Sequence, residues 1–343
     1  MEAKRQDIVW MDWAKLIGIF LVVYGHLLQK TDNWKYFQLH ELWNIIYLFH
    51  MPLFFILSGY MYRSSHSLKK IFITLVVPYL IYQILFFPAA LLIHRSEGFS
   101  VLYIVKKLIG GLLGDGYNTS ISYYDCLPCW FIVSIIQIRI LFYFVPINRI
   151  TSTALIVLCP AGLLLLHYNK LDLYFCLDST CMAIPYFLAG YYIAKKDVMS
   201  KIKSHGGGYF CSLLCLIILL LIYKINGAAQ MNGPSFGNNI ILNYLGGLSG
   251  SLMIIFFVLK FNSIRNNLKL IARNTLFLIF YHWVVLLVLG GVGFFNLWKL
   301  IDSYVWASLM MAIYAILVLY SSIPVVSYLK KKYPIVLGKK KVI

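Results

Sequence analysis

Three ionisable side chains near the start of the chain are placed so that they could bind and activate a substrate inside a membrane. Asp12, Lys15 and His26 lie in one apolar segment, and Lys15 and His26 are eleven residues apart. On an α-helix both would share one face, about 16 Å apart along the axis, and Asp12 would lie one turn before Lys15. The segment predicts a cation that holds the anionic head of a long substrate and an imidazole that acts near its other end. Snorkelling of Lys15 to the headgroups and a core role for His26 are the simpler alternatives.

Two further apolar segments carry candidates for the same site. His50 lies two residues before Pro52, which lacks a backbone donor and predicts a bent helix. An ordinary membrane-helix kink is the alternative interpretation of this proline. Tyr281 and His282 are adjacent in the ninth apolar segment. Because ionisable groups in hydrocarbon usually face a protein interior or a wet cavity, we expect His50, Tyr281 and His282 to join His26 in catalysis.

Arginines are candidates for binding an anion at the Lys15 end. Arg139 lies in the inner half of the fourth apolar segment, where an unpaired guanidinium is costly unless it snorkels or binds a carboxylate or an anionic ligand. Arg63 follows the second segment on the same predicted side. We therefore group Lys15, Arg139, Arg63 and Asp12 as the residues expected to bind an anionic cofactor or cosubstrate.

The composition excludes a soluble enzyme. Of 343 residues, 61% are apolar and 12% charged, and the mean hydropathy is +0.79, whereas soluble domains are about one quarter charged. The sequence predicts an all-α, polytopic membrane protein of about ten transmembrane helices that forms a single domain over residues 1–343. The predicted spans are residues 13–28, 43–61, 71–93, 129–145, 153–167, 179–194, 209–223, 240–259, 275–295 and 304–328.

The basic residues indicate how the chain crosses the membrane. The net charge of +18 would suggest nucleic acid as a partner in a soluble protein. If the N-terminus is cytoplasmic, twenty Lys and Arg fall on the cytoplasmic side and eight on the other, with Lys15 and Arg139 inside spans. This follows the positive-inside rule, and no nucleic-acid motif accompanies the charge. We expect a lipid bilayer and no nucleic acid as partner, cytoplasmic termini, and a bacterial cytoplasmic (inner) membrane location with the first segment uncleaved.

The connecting segments also carry predictions. Residues 99–113 combine apolar side chains with Lys106 and Lys107, a pattern typical of a helix in the outer membrane interface. Residues 224–239 are rich in Gly and Asn and predict an irregular outer loop that could cover a site. Gly246 and Gly250 have the spacing that lets two helices approach closely.

Three other classes of protein fit parts of the pattern. Cys126 and Cys129 have the C-x-x-C spacing of thiol exchange, and Cys176 and Cys181 lie at the same predicted face of the membrane. A thiol oxidoreductase is therefore one alternative. Structural disulfides or free thiols are the simpler explanation of these cysteines. Haem or another metal bound between His26, His50 and His282 is a further alternative, but histidines on separate segments carry no metal-ligand spacing of their own, and we expect no metal. A transporter or exporter of a polysaccharide precursor is the main alternative, although inverted repeats are not evident.

Four segments in chain order resemble the integral-membrane acyltransferase type 3 family. The first carries DWAKLIGI and then VVYGH, ending at His26, and resembles a first-helix signature in which a basic residue is followed three turns later by an essential histidine. Residues 49–60, FHMPLFFILSGY, resemble the second-helix motif. The run WFI at 130–132 resembles a later aromatic motif, and residues 274–283 resemble the C-terminal helix.

The resemblance implies a ten-helix membrane enzyme that moves an acyl group, usually acetyl, from acyl-coenzyme A to a hydroxyl of a carbohydrate or its precursor. By position, Lys15 corresponds to the basic residue that binds the donor and His26 to the catalytic histidine. The family residue is usually Arg, and Lys lacks its bidentate fork. The branch with paired glutamates after the aromatic motif is not matched, since no acid lies between 130 and 149. Direct base catalysis and a covalent acyl-histidine are both compatible with the residues.

Overall fold

The computed structural model describes residues 9–30, 35–64, 67–93, 100–113, 127–171, 173–204 and 206–339. Within these ranges the chain is helical, with short 3₁₀ turns and no strand beyond a single β-bridge. The all-α class is therefore confirmed. The helices are α1 (Val9–Lys30), α2 (Phe37–Tyr60), α3 (Leu68–Ile71), α4 (Val77–Ile93), α5 (Val101–Leu113), α6 (Trp130–Phe144), α7 (Arg149–Tyr168), α8 (Leu177–Lys195), α9 (Val198–Ser204), α10 (Gly208–Asn226), α11 (Ile240–Val258), α12 (Asn266–Ala272), α13 (Thr275–Gly291) and α14 (Tyr304–Lys332).

Every predicted span contains a helix, but fewer helices meet the length and hydropathy that a membrane crossing requires. Seven do so among the described residues, with α3 continuing through a π-helical turn, Phe72–Val76, into α4. An eighth results if α12 and α13, bent by 86° at their junction, are one broken span. Helix α6 has 15 residues and is about 22 Å long, shorter than the hydrocarbon core. The structure thus supports a multi-pass membrane protein, while the count of ten and the orientation of the termini stay predictions.

Helix α2 lies at the centre of the bundle because small residues on its neighbours let them approach it. A Cβ added to Gly190 of α8 would lie 1.9 Å from the backbone oxygen of Ile56, and one added to Gly59 of α2 would lie 1.9 Å from that of Phe187. On α11, a Cβ at Gly250 would lie 2.3 Å from Cγ of Phe49. The predicted close approach at Gly246 and Gly250 is confirmed, and its partner is α2.

The junction between α12 and α13 is fixed by polar contacts. Arg273 of this junction donates to both carboxylate oxygens of Asp12, with a shortest distance of 2.8 Å. Asn274 is buried and donates to the carbonyl of Leu270, and its side-chain oxygen accepts from Lys339 at 2.6 Å. Because these contacts join α1, the junction and the C-terminal segment, they hold the start of α1 beside the start of α13.

Two connecting segments have regular structure. Residues 101–113 form the predicted helix, α5, and its Val101, Leu102 and Val105 are exposed, as an interfacial helix requires. The segment after α10 is more ordered than its composition predicts. Gln230 and Ser235 pair as a β-bridge, and the fully buried Asn226 binds the backbone of residues 236 and 239. One buried amide side chain therefore organises a segment that was expected to be irregular.

Candidate functional site

His26 lies one turn before the end of α1, in contact with α2 and α13. Its ring stacks on His282, with centroids 5.3 Å apart, and meets Trp283 edge-on at 5.2 Å. Its Nδ1 lies 3.0 Å from Oε1 of Gln29 and 3.3 Å from the hydroxyl of Tyr47. When Nδ1 carries the proton and donates to Gln29, the basic lone pair of the neutral imidazole is on Nε2. The local contacts thus favour the tautomer in which Nε2 is the base.

The two other predicted histidines are buried close to His26, and backbone carbonyls fix their tautomers. Nδ1 of His50 lies 2.8 Å from the carbonyl of Ile46, and Nδ1 of His282 lies 2.7 Å from that of Leu278. Because a carbonyl only accepts, both Nδ1 atoms carry hydrogen, and each neutral ring presents Nε2 as an acceptor. The sequence placed these histidines on separate helices but could not predict how those helices pack. In the structure, the ring of His282 lies against that of His26.

Nε2 of His282 has an unmet hydrogen-bonding capacity. The atom is buried and has no hydrogen-bond partner in the described protein. A buried polar atom without a partner destabilises the fold, and such sites in native proteins often have a functional reason. Since the ring stacks on that of His26, a hydroxyl donor brought there by a ligand would both satisfy Nε2 and lie beside the candidate base.

The structure also places two predicted residues in structural contacts. The hydroxyl of Tyr281 is 3.0 Å from Oγ of Ser321 on α14. Asp12 is buried and accepts from Arg273, so its charge is compensated within the protein. These contacts give Tyr281 and Asp12 roles in positioning helices, whereas a direct role in catalysis or donor binding stays a prediction.

Lys15 and His26 contact the same neighbouring helix at opposite ends. Nζ of Lys15 lies 3.3 Å from Sδ of Met61, which directly follows α2, whereas His26 contacts Tyr47 on the same helix. Both side chains are partly buried. The cation and the imidazole of α1 therefore both lie against α2, as one shared helical face requires, whereas their part in binding a substrate stays a prediction. We call these two regions the Lys15 end and the His26 end of the site.

Arg139 lies at the Lys15 end of α2, and no carboxylate among the described residues forms an ion pair with it. Its guanidinium lies 5.1 Å from the ring centroid of Tyr62 and 5.6 Å from that of Phe187, and Nη2 donates to the carbonyl of Ser58 at 3.3 Å. Nη1 is buried and has no hydrogen-bond partner among the described residues. The aromatic faces stabilise the cation but leave a donor unsatisfied. An incoming anionic oxygen would supply the missing acceptor.

Other sequence-predicted candidates lie at the edges of this site or outside the described ranges. Arg63 is exposed beyond the end of α2, at the Lys15 end. Cys126 lies outside the described residues, Cys129 is a buried free thiol, and Cys176 is buried. Among the residues that the structure describes, no three His, Cys, Asp or Glu side chains are placed to hold a metal ion.

Sequence reasoning missed three residues of the His26 environment. Tyr47, Gln29 and Trp283 contact the imidazole directly. Helical spacing could have found two of them, because Gln29 is one turn after His26 and Tyr47 is one turn before His50. Trp283 required the packing of α13 against α1, which local spacing does not give.

The fold and this site define a membrane protein with a histidine-centred interior site, and comparison with known proteins identifies its class. Residues 8–328 match the family described as "Acyltransferase domain", acyltransferase type 3. The chain therefore belongs to that family, as its motifs predicted.

Two curated relatives are both called nodulation protein NolL. The chain is 48% identical to that of Sinorhizobium fredii over 64 residues, which cover 17% of this chain and 16% of the relative. It is 34% identical to that of Mesorhizobium japonicum over 149 residues, which cover 41% of this chain and 36% of the relative. No solved structure matches the chain. The matched stretches span well under two thirds of the length of these relatives. An activity shared with them is therefore a proposal for this chain.

Proposed function

We propose that this protein is an O-acyltransferase of a bacterial cytoplasmic membrane. It takes an acyl group, acetyl in the simplest case, from acyl-coenzyme A and places it on a hydroxyl of a cell-surface carbohydrate or its lipid-linked precursor. The observation that carries the proposal is the arrangement of α1, with a cation at one end and an imidazole at the other, both in contact with α2 or the residue that follows it. Membership of the acyltransferase family supports the reaction class.

His26 performs the proton transfer in this mechanism. Its Nε2 takes the proton of the acceptor hydroxyl while the oxygen attacks the thioester carbonyl. The tetrahedral intermediate then collapses, the carbon–sulfur bond breaks, and the proton passes from His26 to the departing thiolate. The products are the acyl ester and free coenzyme A. A variant of this scheme, in which the acyl group first resides on His26, uses the same residues and gives the same products.

His282 and His50 are buried acceptors beside the reacting groups. Nε2 of His282 accepts a hydrogen bond from the acceptor substrate and so orients the hydroxyl toward His26. The ring centroid of His50 lies 4.7 Å from that of Tyr47. His50 thereby helps to hold Tyr47 beside the imidazole of His26. In the scheme Tyr281 supports α13 through Ser321 and acts by positioning His282.

The Lys15 end binds the phosphates of the donor. Lys15 and Arg139 provide positive charge at this end, and Nη1 of Arg139 is an unsatisfied buried donor. Arg63 adds charge at the exposed rim, and the Asp12–Arg273 pair fixes the start of α1. Since Lys15 and His26 are about 16 Å apart, the extended pantetheine arm joins a phosphate at one end to a thioester at the other. The Lys15 end faces the cytoplasm in this proposal.

Replacing the cations at the Lys15 end should weaken donor binding selectively. We expect Lys15→Met and Arg139→Met each to raise the KM for acetyl-coenzyme A by roughly tenfold to one hundredfold, the loss for one hydrogen bond to a charged group. The measurement is release of free thiol by purified protein with acetyl-coenzyme A as the varied substrate. Arg149→Met, at the exposed start of α7, is the matched control and should leave the KM unchanged. Unchanged KM values in both site variants would contradict the proposed donor site.

A further inference from the structure

The start of α10 and the end of α11 pack closely against each other. A Cβ added to Gly208, the first residue of α10, would lie 2.9 Å from the carbonyl oxygen of Phe256 near the end of α11. One turn further along, Ser212 of α10 donates to the carbonyl of Met253 at 2.9 Å. Because α10 begins where α11 ends, the residues that precede α10 and those that follow α11 form one surface.

Two lysines, two aromatic rings and an amide lie together on this surface. Nζ of Lys260 lies 4.8 Å from the ring centroid of Tyr209, and the ring centroid of Tyr209 lies 6.0 Å from that of Phe257. Nζ of Lys203 donates to Oδ1 of Asn262 at 3.4 Å. All five residues are exposed. We call them the Lys260 patch.

The Lys260 patch lies where two candidate membrane spans end. Both α10 and α11 have the length and hydropathy of a membrane crossing. Tyr209 and Phe257 lie in their terminal turns, and the exposed fractions of these residues are 48% and 44%. Amphipathic aromatic rings are enriched at the level of the headgroups, and long Lys side chains extend to the same level along apolar surface. The patch therefore fits the headgroup layer of one leaflet.

The positive charge of the patch is not compensated by the chain around it. The sequence contains no Asp or Glu at positions 198–301, a stretch that includes both lysines. Among the described residues, Lys203 contacts the neutral amide of Asn262 and Lys260 contacts the ring face of Tyr209, and neither forms an ion pair. An ammonium group has three donors. Both lysines can therefore donate to the oxygens of an anionic ligand.

The Lys260 patch is separate from the proposed donor site. Trp13 of α1 donates to the carbonyl of Ser263 at 2.9 Å, and its ring centroid lies 5.2 Å from that of Phe261. This side of α1 therefore faces the segment after α11. Lys15, two residues further on, points to nearly the opposite side of the helix and contacts Met61. The proposed reaction does not use the patch, although both lie at the same end of α1.

We propose that the Lys260 patch binds the headgroup of an anionic phospholipid, with phosphatidylglycerol as the simplest case. Lys203 and Lys260 donate charge-assisted hydrogen bonds to the phosphate oxygens, and the amide of Asn262 donates to the headgroup. The acyl chains pack on the exposed ring of Phe257. Basic clusters at the ends of membrane helices bind anionic lipids in this way. A free phosphate ion would use the lysines but not the exposed rings, so the aromatic surface favours a lipid.

Native mass spectrometry of the purified full-length protein tests the patch. The protein, in a neutral detergent, is titrated separately with dioleoylphosphatidylglycerol and dioleoylphosphatidylcholine, and the dissociation constant of the first lipid adduct is measured. We expect phosphatidylglycerol to bind at least about tenfold more tightly. The double variant Lys203→Gln/Lys260→Gln should weaken the binding of phosphatidylglycerol by roughly thirtyfold, the effect of two lysines near an anionic surface, and should leave that of phosphatidylcholine unchanged. Lys203→Arg/Lys260→Arg keeps both charges and should retain the wild-type affinity.

A matched control removes the same charge elsewhere at this end of the bundle. Lys330→Gln/Lys331→Gln, at the exposed end of α14, should bind phosphatidylglycerol as the wild type does. An equal loss of affinity in both glutamine variants would be an effect of net charge and would overturn the patch, as would equal wild-type affinities for the two lipids. Wild-type protein that binds glycerol 3-phosphate as tightly as phosphatidylglycerol would have a site for soluble anions, which would overturn lipid recognition. The titrations use no acyl donor, so their outcome is independent of the proposed function.

Discussion

His26→Ala should lower kcat for acyl transfer by roughly 10²- to 10⁴-fold, the contribution expected of a positioned general base. The imidazole is the group that can take the acceptor proton, and its contacts with Gln29, Tyr47 and His282 fix its orientation. Removal of the ring leaves the Lys15 end unchanged. The KM for acetyl-coenzyme A should therefore stay close to the wild-type value, and the loss should appear in kcat.

A matched histidine provides the control for this result. His167, exposed at the end of α7, contacts Phe236 and lies outside the site. His167→Ala should keep wild-type kcat, and both variants should elute as monodisperse protein in detergent. A folded His26→Ala protein that retains wild-type kcat would remove His26 from the mechanism. His26→Gln, which keeps hydrogen bonding but cannot act as a base, should be as inactive as the alanine variant.

Gly190→Ala should prevent α8 from packing on α2. The new Cβ would lie 1.9 Å from the carbonyl oxygen of Ile56 and 2.9 Å from the backbone nitrogen of Tyr60, and backbone atoms cannot rotate away. The two helices must separate along their whole contact, so we expect a destabilisation of at least about 3 kcal/mol, the upper range for overpacking. The measurement is the thermal unfolding midpoint of the purified protein together with the fraction recovered from membranes.

Gly162→Ala on α7 is the control for the same chemical change. Apart from the adjacent residues and the backbone of α7 itself, no atom of the described residues lies within 4 Å of a Cβ at that position. The variant should therefore unfold at the wild-type temperature or slightly above it, because alanine favours a helix. If Gly190→Ala also kept the wild-type midpoint and yield, the close crossing of α2 and α8 would be wrong. Activity is not needed for this comparison, so it tests the fold separately from the mechanism.

The sequence predicted features that depend on spacing within one helix. The common face of Lys15 and His26 follows from helical geometry, and the close approach at Gly250 follows from its missing side chain. Hydropathy located a helix at each predicted span, but it could not decide whether helices as short as α6 cross the bilayer. Length and composition constrain a span, whereas the packing of neighbours determines whether a short helix is accommodated.

Contacts between helices were beyond local patterns. Asp12 and Arg273 are far apart in the chain, and Asp12 also had Lys15 one turn away, so the sequence offered no means of choosing the pair found in the structure. The bend between α12 and α13 contains neither Pro nor Gly, the usual signals of a break. The stacking of His282 on His26 likewise depends on tertiary packing.

The central claim is that the donor and the acceptor reach the protein from opposite ends of α1. Transfer of an acetyl group between two sealed compartments tests this claim most directly. Protein is reconstituted in liposomes with a methyl glycoside only inside and radiolabelled acetyl-coenzyme A only outside. We expect labelled acetyl glycoside to accumulate inside the liposomes. Protein molecules that are oriented with the Lys15 end outward bind the donor there and present His26 to the lumen. His26→Ala should give no labelled product. Formation of product only when both reagents share one compartment would contradict the account.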